Sequence, residues 1–238
     1  MNFEQHQQSK VTQQIIEKTR VFGASLAGLA AINSLRENPT HKTYPDLFIP
    51  PDVKAVLVFA LVHQESAPVL DWWDGSGGTP GNRKLIRIAR KLNRWLTQDL
   101  QARVYLLPYQ VEKGGIFLKD AAVLAGLGVL GSNNLLITPQ FGPRVRLRAL
   151  FLDLEPAAAV EPDFFPCDGC AKPCFQACPQ GAFDTGSYNK SACQKQMSQD
   201  EAQAARDQGK TSDSSSGICI KYCRACELSC PQGSSCIL

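Results

Sequence analysis

Two runs of thiols stand near the end of this chain. The first is Cys167-Asp-Gly-Cys170-Ala-Lys-Pro-Cys174-Phe-Gln-Ala-Cys178-Pro179, and the second is Cys223-Arg-Ala-Cys226-Glu-Leu-Ser-Cys230-Pro231. A cubane iron–sulfur cluster needs four thiolates around one inorganic core. Cysteines two residues apart on a tight loop can wrap one corner of it, and a cysteine followed by proline commonly reaches over to a neighbouring cluster. Proline ends the run and fixes the chain as it turns away. Both runs close on Cys-Pro, so their spacing predicts a crossed pair of [4Fe–4S] clusters. Cys167, Cys170, Cys174 and Cys230 would hold one cluster. Cys178, Cys223 and Cys226 would hold the other, with either Cys193 or Cys219 as the remaining ligand. The gap between Cys170 and Cys174 is one residue longer than the common spacing, which irregular backbone accommodates.

Zinc is the competing metal, since Cys-x2-Cys pairs bind it tetrahedrally. Zinc sites do not call for a Cys-x3-Cys-Pro tail in each half, and they rarely gather eight thiolates this closely. A disulfide framework would need an oxidising compartment, and Met1 to Lys10 is polar, with no apolar signal segment. The terminal Ser235-Cys236-Ile237-Leu238 is not a prenylation box, because its cysteine is third from the end. No cysteine precedes Cys167 among the 238 residues. The C-terminal part therefore reads as an electron-handling module, and the preceding residues must explain what the electrons are for.

The formal charge is +3, from 25 basic and 22 acidic residues. That balance does not argue for nucleic acid or an anionic membrane. No apolar run reaches the roughly 18 residues of a spanning helix, so a soluble cytoplasmic protein is expected. With 44% hydrophobic residues, the chain can bury an ordinary core.

The pattern along the chain is α+β. Val11 to Arg20 and Lys84 to Leu100 have helical periodicity, and Ser25 is placed to cap a helix running through Ala31 to Leu35. Lys54 to Val62 is a short, continuous, β-branched apolar run that suits a strand buried on both faces. Arg103 to Tyr109, Leu135 to Thr138 and Val145 to Asp153 read as further strands, and Lys119 to Ala125 as a helix. Gln64 to Asn82 reads as a long loop carrying Trp72 and Trp73. These elements predict a mixed α/β domain over 1–162, followed by a module over 163–238 whose mirrored half-motifs resemble those of bacterial two-cluster ferredoxins. Residues 198–217 offer no apolar face and read as a solvated, mobile insertion.

Gly126-Leu-Gly128-Val-Leu-Gly131 matches G-x-G-x-x-G. A dinucleotide fingerprint must follow a strand and open a helix, whereas here helix-like residues precede it and strand-like residues follow. It reads instead as a helix C-cap and tight turn, or as a place where small residues let backbone approach a large flat ligand. The longer stretch Ala125-Gly-Leu-Gly-Val-Leu-Gly-Ser-Asn-Asn-Leu-Leu-Ile-Thr-Pro-Gln-Phe-Gly142 resembles the core segment of epoxyqueuosine reductases, which share ancestry with reductive dehalogenases. Cys174-Phe-Gln-Ala-Cys178-Pro-Gln-Gly-Ala182 resembles the first cysteine run of the same family. The resemblance covers Glu112 to Pro231 well and Val21 to Leu61 faintly.

The resemblance implies a cobalamin-associated iron–sulfur reductase. Its first domain would be nitroreductase-like and corrinoid-binding, and low-potential electrons would pass through two [4Fe–4S] clusters to reduce the cobalt. It implies Cys193 as the eighth ligand, leaving Cys219 and Cys236 free. It places Gly126, Gly128, Leu130, Gly131, Ser132 and Asn133 beside the corrinoid. It puts Glu112 where relatives carry a general-acid aspartate, a role that burial would favour by raising the carboxyl pKa; an exposed glutamate beside Lys113 is the plainer reading. A ferredoxin or flavodoxin would donate the electrons, and a small-molecule substrate or a separate corrinoid protein would receive them. In the latter case the chain would be a non-catalytic electron carrier. The residues end at Leu238 without the helical-repeat extension with which many relatives grip tRNA, so nucleic acid is not an expected partner.

Other residues keep two readings each. Arg144, Arg146 and Arg148 alternate on a strand face and could meet a phosphate or an acidic partner, or form a solvated face. Trp72 and Trp73 could cover a flat ligand or simply pack. His41 and His63 could ligate a metal or sit in the core.

Overall fold

A computed structural model describes residues 3–44, 47–75, 78–160, 162–208 and 218–233. In chain order the elements are α1 (Phe3–Val21), β1 (Leu26–Ala31), α2 (Ile32–Glu37), α3 (Pro39–Lys42), β2 (Ala55–Val62), α4 (Pro80–Asp99), β3 (Val104–Leu106), α5 (Leu118–Leu124), β4 (Val129–Leu130), β5 (Leu136–Ile137), β6 (Val145–Leu152), α6 (Pro173–Gln176), α7 (Lys190–Gln208) and α8 (Ala225–Leu228). One-turn 3₁₀ helices cover Pro68–Asp71 and Val111–Lys113. The chain forms two compact units interleaved in sequence. The first comprises Met1–Leu61, Leu85–Leu130 and Arg146–Phe164, and the second Val62–Lys84, Gly131–Val145 and Phe165–Leu238.

The first unit is built on a sheet of order β1-β2-β6-β3. β1 pairs antiparallel with β2, from Leu26 opposite Ala60 to Ala31 opposite Ala55, and β3 pairs antiparallel with β6. β2 reads AVLVFALV, apolar at every position, and is buried on both faces through Ala60. α4 follows the 3.6-residue period: Leu85, Ile88, Ala89, Leu92, Trp95 and Leu96 are buried, while Lys84, Arg87, Arg90, Lys91 and Arg94 are exposed. Its apolar stripe joins Ile15, Leu29, Leu57, Phe59, Leu150 and Leu152 in one core.

The helix expected from Ser25 to Leu35 is mostly strand. Ser25 N–H donates to Ala60 O at 2.8 Å, and the next six residues pair with β2. Alanine favours helix only weakly, and a complete ladder on a buried neighbour overrides it.

The second unit has less regular structure and takes in two earlier segments, Val62–Lys84 and Gly131–Val145, besides the residues expected after a single break near 162. Their polar groups explain why: as described below, Asn133, Arg144 and Asp71 satisfy backbone and charge in the cysteine-rich segment. Residues 198–208, expected to be mobile, complete α7. Gln, Ala, Glu and Lys are good helix formers. Gln196 donates to Asp200 and Gln203 to Asp207, both at i,i+4 spacing. The rest of that stretch, 209–217, lies outside the described residues, as does Cys236. No helix among the described residues is long and apolar enough to cross a membrane.

Candidate metal centre

The cysteines sit on short elements that turn sharply. Cys167 and Cys170 precede α6, Cys174 lies within it and Cys178 just follows. Cys193 is in the first turn of α7, while Cys223, Cys226 and Cys230 surround α8. Their mutual electrostatics sort them into two sets. Burial pushes the Cys174 thiol up, and the charges of Cys230, Cys167 and Cys170 push the same way. Burial pushes the Cys226 thiol up to about 12, and so do Cys223, Cys193, Glu227 and Cys178. Burial also raises Cys230, with Cys167 and Cys170 adding to it, and it raises Cys223, with Asp200, Cys178 and Cys193 adding. Cys193 therefore keeps company with Cys178, Cys223 and Cys226. Cys219 is exposed.

Backbone N–H groups point at three of the sulfurs: Ser132 to Cys167 and Lys172 to Cys170 at 3.4 Å each, and Ala182 to Cys178 at 3.3 Å. Such bonds favour the thiolate and tune a cluster held by it. Among the described residues, no three His, Cys, Asp or Glu side chains converge to hold a single metal ion. Tetrahedral zinc, with bonds near 2.3 Å, would need its sulfurs within about 4 Å of one another. Amide donors on sulfurs of both sets suit thiolates that bind an iron–sulfur cluster.

The glycine turn is tied to this module. α5 ends at Leu124, and Gly126 has φ +72, the left-handed cap that a glycine supplies. A side chain on Gly126 would lie 2.5 Å from Val160 O, and one on Gly131 would lie 2.6 Å from Ile137 Cδ1. The chain's own atoms thus account for both glycines without a flat ligand. Asn133 is buried, donates from Nδ2 to Cys226 O at 3.2 Å and accepts from Leu135 N–H at 3.2 Å. Ser132 and Asn133 therefore each contact a different cysteine set. Gly128 is buried, Ser132 is half-buried and Leu130 is exposed. Glu112 is exposed on its 3₁₀ turn, so the burial that would favour an acid role is absent.

A buried charge network went unseen in the sequence. Arg144, expected on a solvated face, is 3% exposed. It donates to Glu65 Oε1 at 2.9 Å, and to the carbonyls of Gln232, Leu228 and Cys230 at 2.8, 3.0 and 3.2 Å. Arg224 lies 2.5 Å from both Asp71 and Glu227, and donates to His63 O at 3.3 Å. His63 is fully buried, with Nδ1 2.5 Å from Asp71 Oδ1. Gly81 packs on its Cε1–Nε2 edge, where a side chain would lie 2.6 Å from Nε2. Trp73 exchanges backbone hydrogen bonds with Ile220, and its ring meets Tyr222 edge-on. Lys221 lies 4.1 Å over the Trp72 ring. Both tryptophans therefore pack on the segment entering Cys223. The clues that could have flagged Arg144 and Arg224 were their places beside a strand end and between cluster cysteines.

No family model matches the chain. A 63-residue stretch is 46% identical to tetrachloroethene reductive dehalogenases of Desulfitobacterium hafniense and Dehalobacter restrictus; it makes up 26% of this chain and 11% of theirs. Epoxyqueuosine reductase of Bacillus subtilis superposes with a TM-score of 0.61 at 19% identity, covering 94% of this chain and 66% of that one. An epoxyqueuosine reductase solved with a tRNA stem loop superposes at 0.62 with 18% identity, covering 94% of this chain and 65% of that one. The reductive dehalogenase NpRdhA superposes at 0.57 with 16% identity, covering 80% and 29%. The chain thus spans just under two thirds of the solved epoxyqueuosine reductases, and the matched stretch about a tenth of the dehalogenases. The mixed α+β architecture with its antiparallel sheet is the fold of these solved enzymes, and a short stretch of the chain is similar in sequence to reductive dehalogenases.

Proposed function

We propose that this chain is an iron–sulfur oxidoreductase of reductive chemistry, holding two [4Fe–4S] clusters and working with a corrinoid. The sorting of the cysteine charges carries the reading: Cys174 feels Cys167, Cys170 and Cys230, while Cys226 feels Cys178, Cys193 and Cys223. Those are the two ligand sets. When bound, the clusters supply single electrons at low potential and the corrinoid supplies a reducible cobalt centre. The chain's own part is to hold and orient. The N–H groups of Ser132, Lys172 and Ala182 stabilise charge on the sulfurs. Asn133 and Arg144 fix the carbonyls of two ligand residues. Leu130, exposed in the glycine turn, offers the corrinoid an apolar contact.

The test is anaerobic purification with iron and sulfide counts, followed by hydroxocobalamin titration read by visible and EPR spectra. About eight irons per chain and saturable cobalamin binding are expected. A colourless protein holding zinc would overturn the reading, and iron without corrinoid affinity would remove its second half. Turnover is then assayed on epoxyqueuosine in a tRNA stem loop and on organohalides, with reduced ferredoxin or flavodoxin as donor. Cobalamin binding without turnover would assign the chain to electron delivery toward a separate corrinoid protein.

A further inference from the structure

The two cysteine sets face charges of opposite sign. At Cys230, the buried guanidinium of Arg144 donates to the ligand's own carbonyl at 3.2 Å and to Leu228 O and Gln232 O on either side. Its one carboxylate partner named above, Glu65, has a side chain 46% exposed, so solvent screens the anion more than the cation. At the other set, Asp200 on α7 accepts the N–H of Cys223 at 2.8 Å. Glu227, next to Cys226, is buried, and the single cation Arg224 is shared between Glu227 and Asp71. The remaining charges close in sequence are exposed: Asp168 and Lys172 in the first run, Lys195 and Lys221 near the second. Solvent screens them.

We infer that Arg144 and Asp200 set the reduction potentials of the two clusters in opposite directions, Arg144 raising that of the cluster on Cys167, Cys170, Cys174 and Cys230, and Asp200 lowering that of the cluster on Cys178, Cys193, Cys223 and Cys226. The inference rests on the cluster reading above. Reduction adds one negative charge to a cluster. A nearby cation favours that charge, and a nearby anion opposes it, most strongly where water is excluded. Burial of Cys174 and Cys230 acts against Arg144 at the first set. The inference therefore concerns the sign of each residue's effect, not which cluster has the lower potential.

The experiment is an EPR-monitored redox titration of the anaerobically purified full chain. Asp200→Asn removes the charge and keeps an oxygen acceptor for the Cys223 N–H, losing only the exchangeable bond from Gln196 on the other oxygen. It should raise one of the two midpoints by about tenfold in the reduction equilibrium, or about 59 mV for one electron. Arg144→Gln should lower the other midpoint by a similar factor, and Arg144→Lys, which keeps the charge, should shift it less. Arg144 is buried, so Asp200→Asn on the half-exposed helix face provides a variant that folds readily. Shifts in different midpoints and opposite directions support the inference. Shifts of the same midpoint, shifts in the same direction, or wild-type midpoints in both variants overturn it while leaving the clusters in place. Absence of iron from the wild-type chain would instead overturn the cluster reading itself.

Discussion

The two units are held together by different physics. Every member of the continuous apolar core, from Ile15 through Phe59 and Leu92 to Leu152, belongs to the first unit. Of the buried polar or charged residues among those described, Thr19 and His41 lie in the first unit, while His63, Asn133, Thr138, Arg144 and Glu227 lie in the second. The first unit excludes water from hydrocarbon. The second spans its loops with guanidinium–carbonyl and ion-pair contacts around thiols that burial makes reluctant to ionise. A region of that kind depends on what its thiols bind, because metal binding and folding then share one free energy.

The largest effect should come from removing the metal. Stripping iron from the purified protein with an oxidant and a chelator should abolish amide protection at Cys174–Cys178 and Ala225–Cys230, while β2 and α4 stay protected, as read by hydrogen exchange. Equal loss in both units would show that the contrast is false. Next in size, Cys193→Ser should reduce iron from about eight to about four per chain, and Cys219→Ser should leave it unchanged. The reverse result would move the eighth ligand to Cys219.

Two stability measurements sharpen the contrast on the iron-loaded protein. Phe59 is fully buried in the first core, and Phe59→Ala should cost about 3–5 kcal/mol in urea unfolding through the cavity it leaves. Arg224→Met should cost about 3 kcal/mol for another reason: it removes the cation that the buried carboxylates of Asp71 and Glu227 share. Adding Asp71→Asn to Arg224→Met should recover part of that loss, whereas no polar substitution would rescue Phe59→Ala. If the second pair proves additive, the network is not one electrostatic unit.

What could be read in advance divides along the same line. The Cys-x2-Cys and Cys-Pro spacings are local, so the ligand runs were legible. So were β2, with its unbroken apolar run, and α4, with its clear period. The choice between Cys193 and Cys219 depended on family resemblance, because nothing in the intervening residues favours either. β1 was taken for helix because its pairing partner begins some thirty residues on, and a strand ladder leaves no mark in an Ala-Gly-Leu sequence. The arginine network was illegible for the same reason. Arg144 meets Glu65 across 79 residues and Arg224 meets His63 O across 161. An arginine bound for such a site looks in sequence like one bound for solvent.

The smallest predicted effect probes the first unit's lone buried imidazole. His41, on α3, is 6% exposed and packs edge-on against Phe117, with ring centroids 5.2 Å apart. Tyr44 meets the same Phe117 ring at 5.5 Å. Among the described residues, neither His41 ring nitrogen has a hydrogen-bond partner. Burial holds its pKa below the ordinary value, and the charge of Asp120 opposes this only in part. The unfolded chain therefore takes up a proton near pH 6.5 that the folded chain resists. Stability at this site is complete above that pH and declines as pH falls toward the folded pKa. The slope is at most about 1.4 kcal/mol per pH unit. His41→Phe should flatten this part of the curve, leave stability at pH 8 little changed and leave iron content as it was. If the variant keeps the full slope between pH 7 and pH 5, the loss belongs to other groups, and the first unit's core tolerates a charged imidazole better than an apolar interior should.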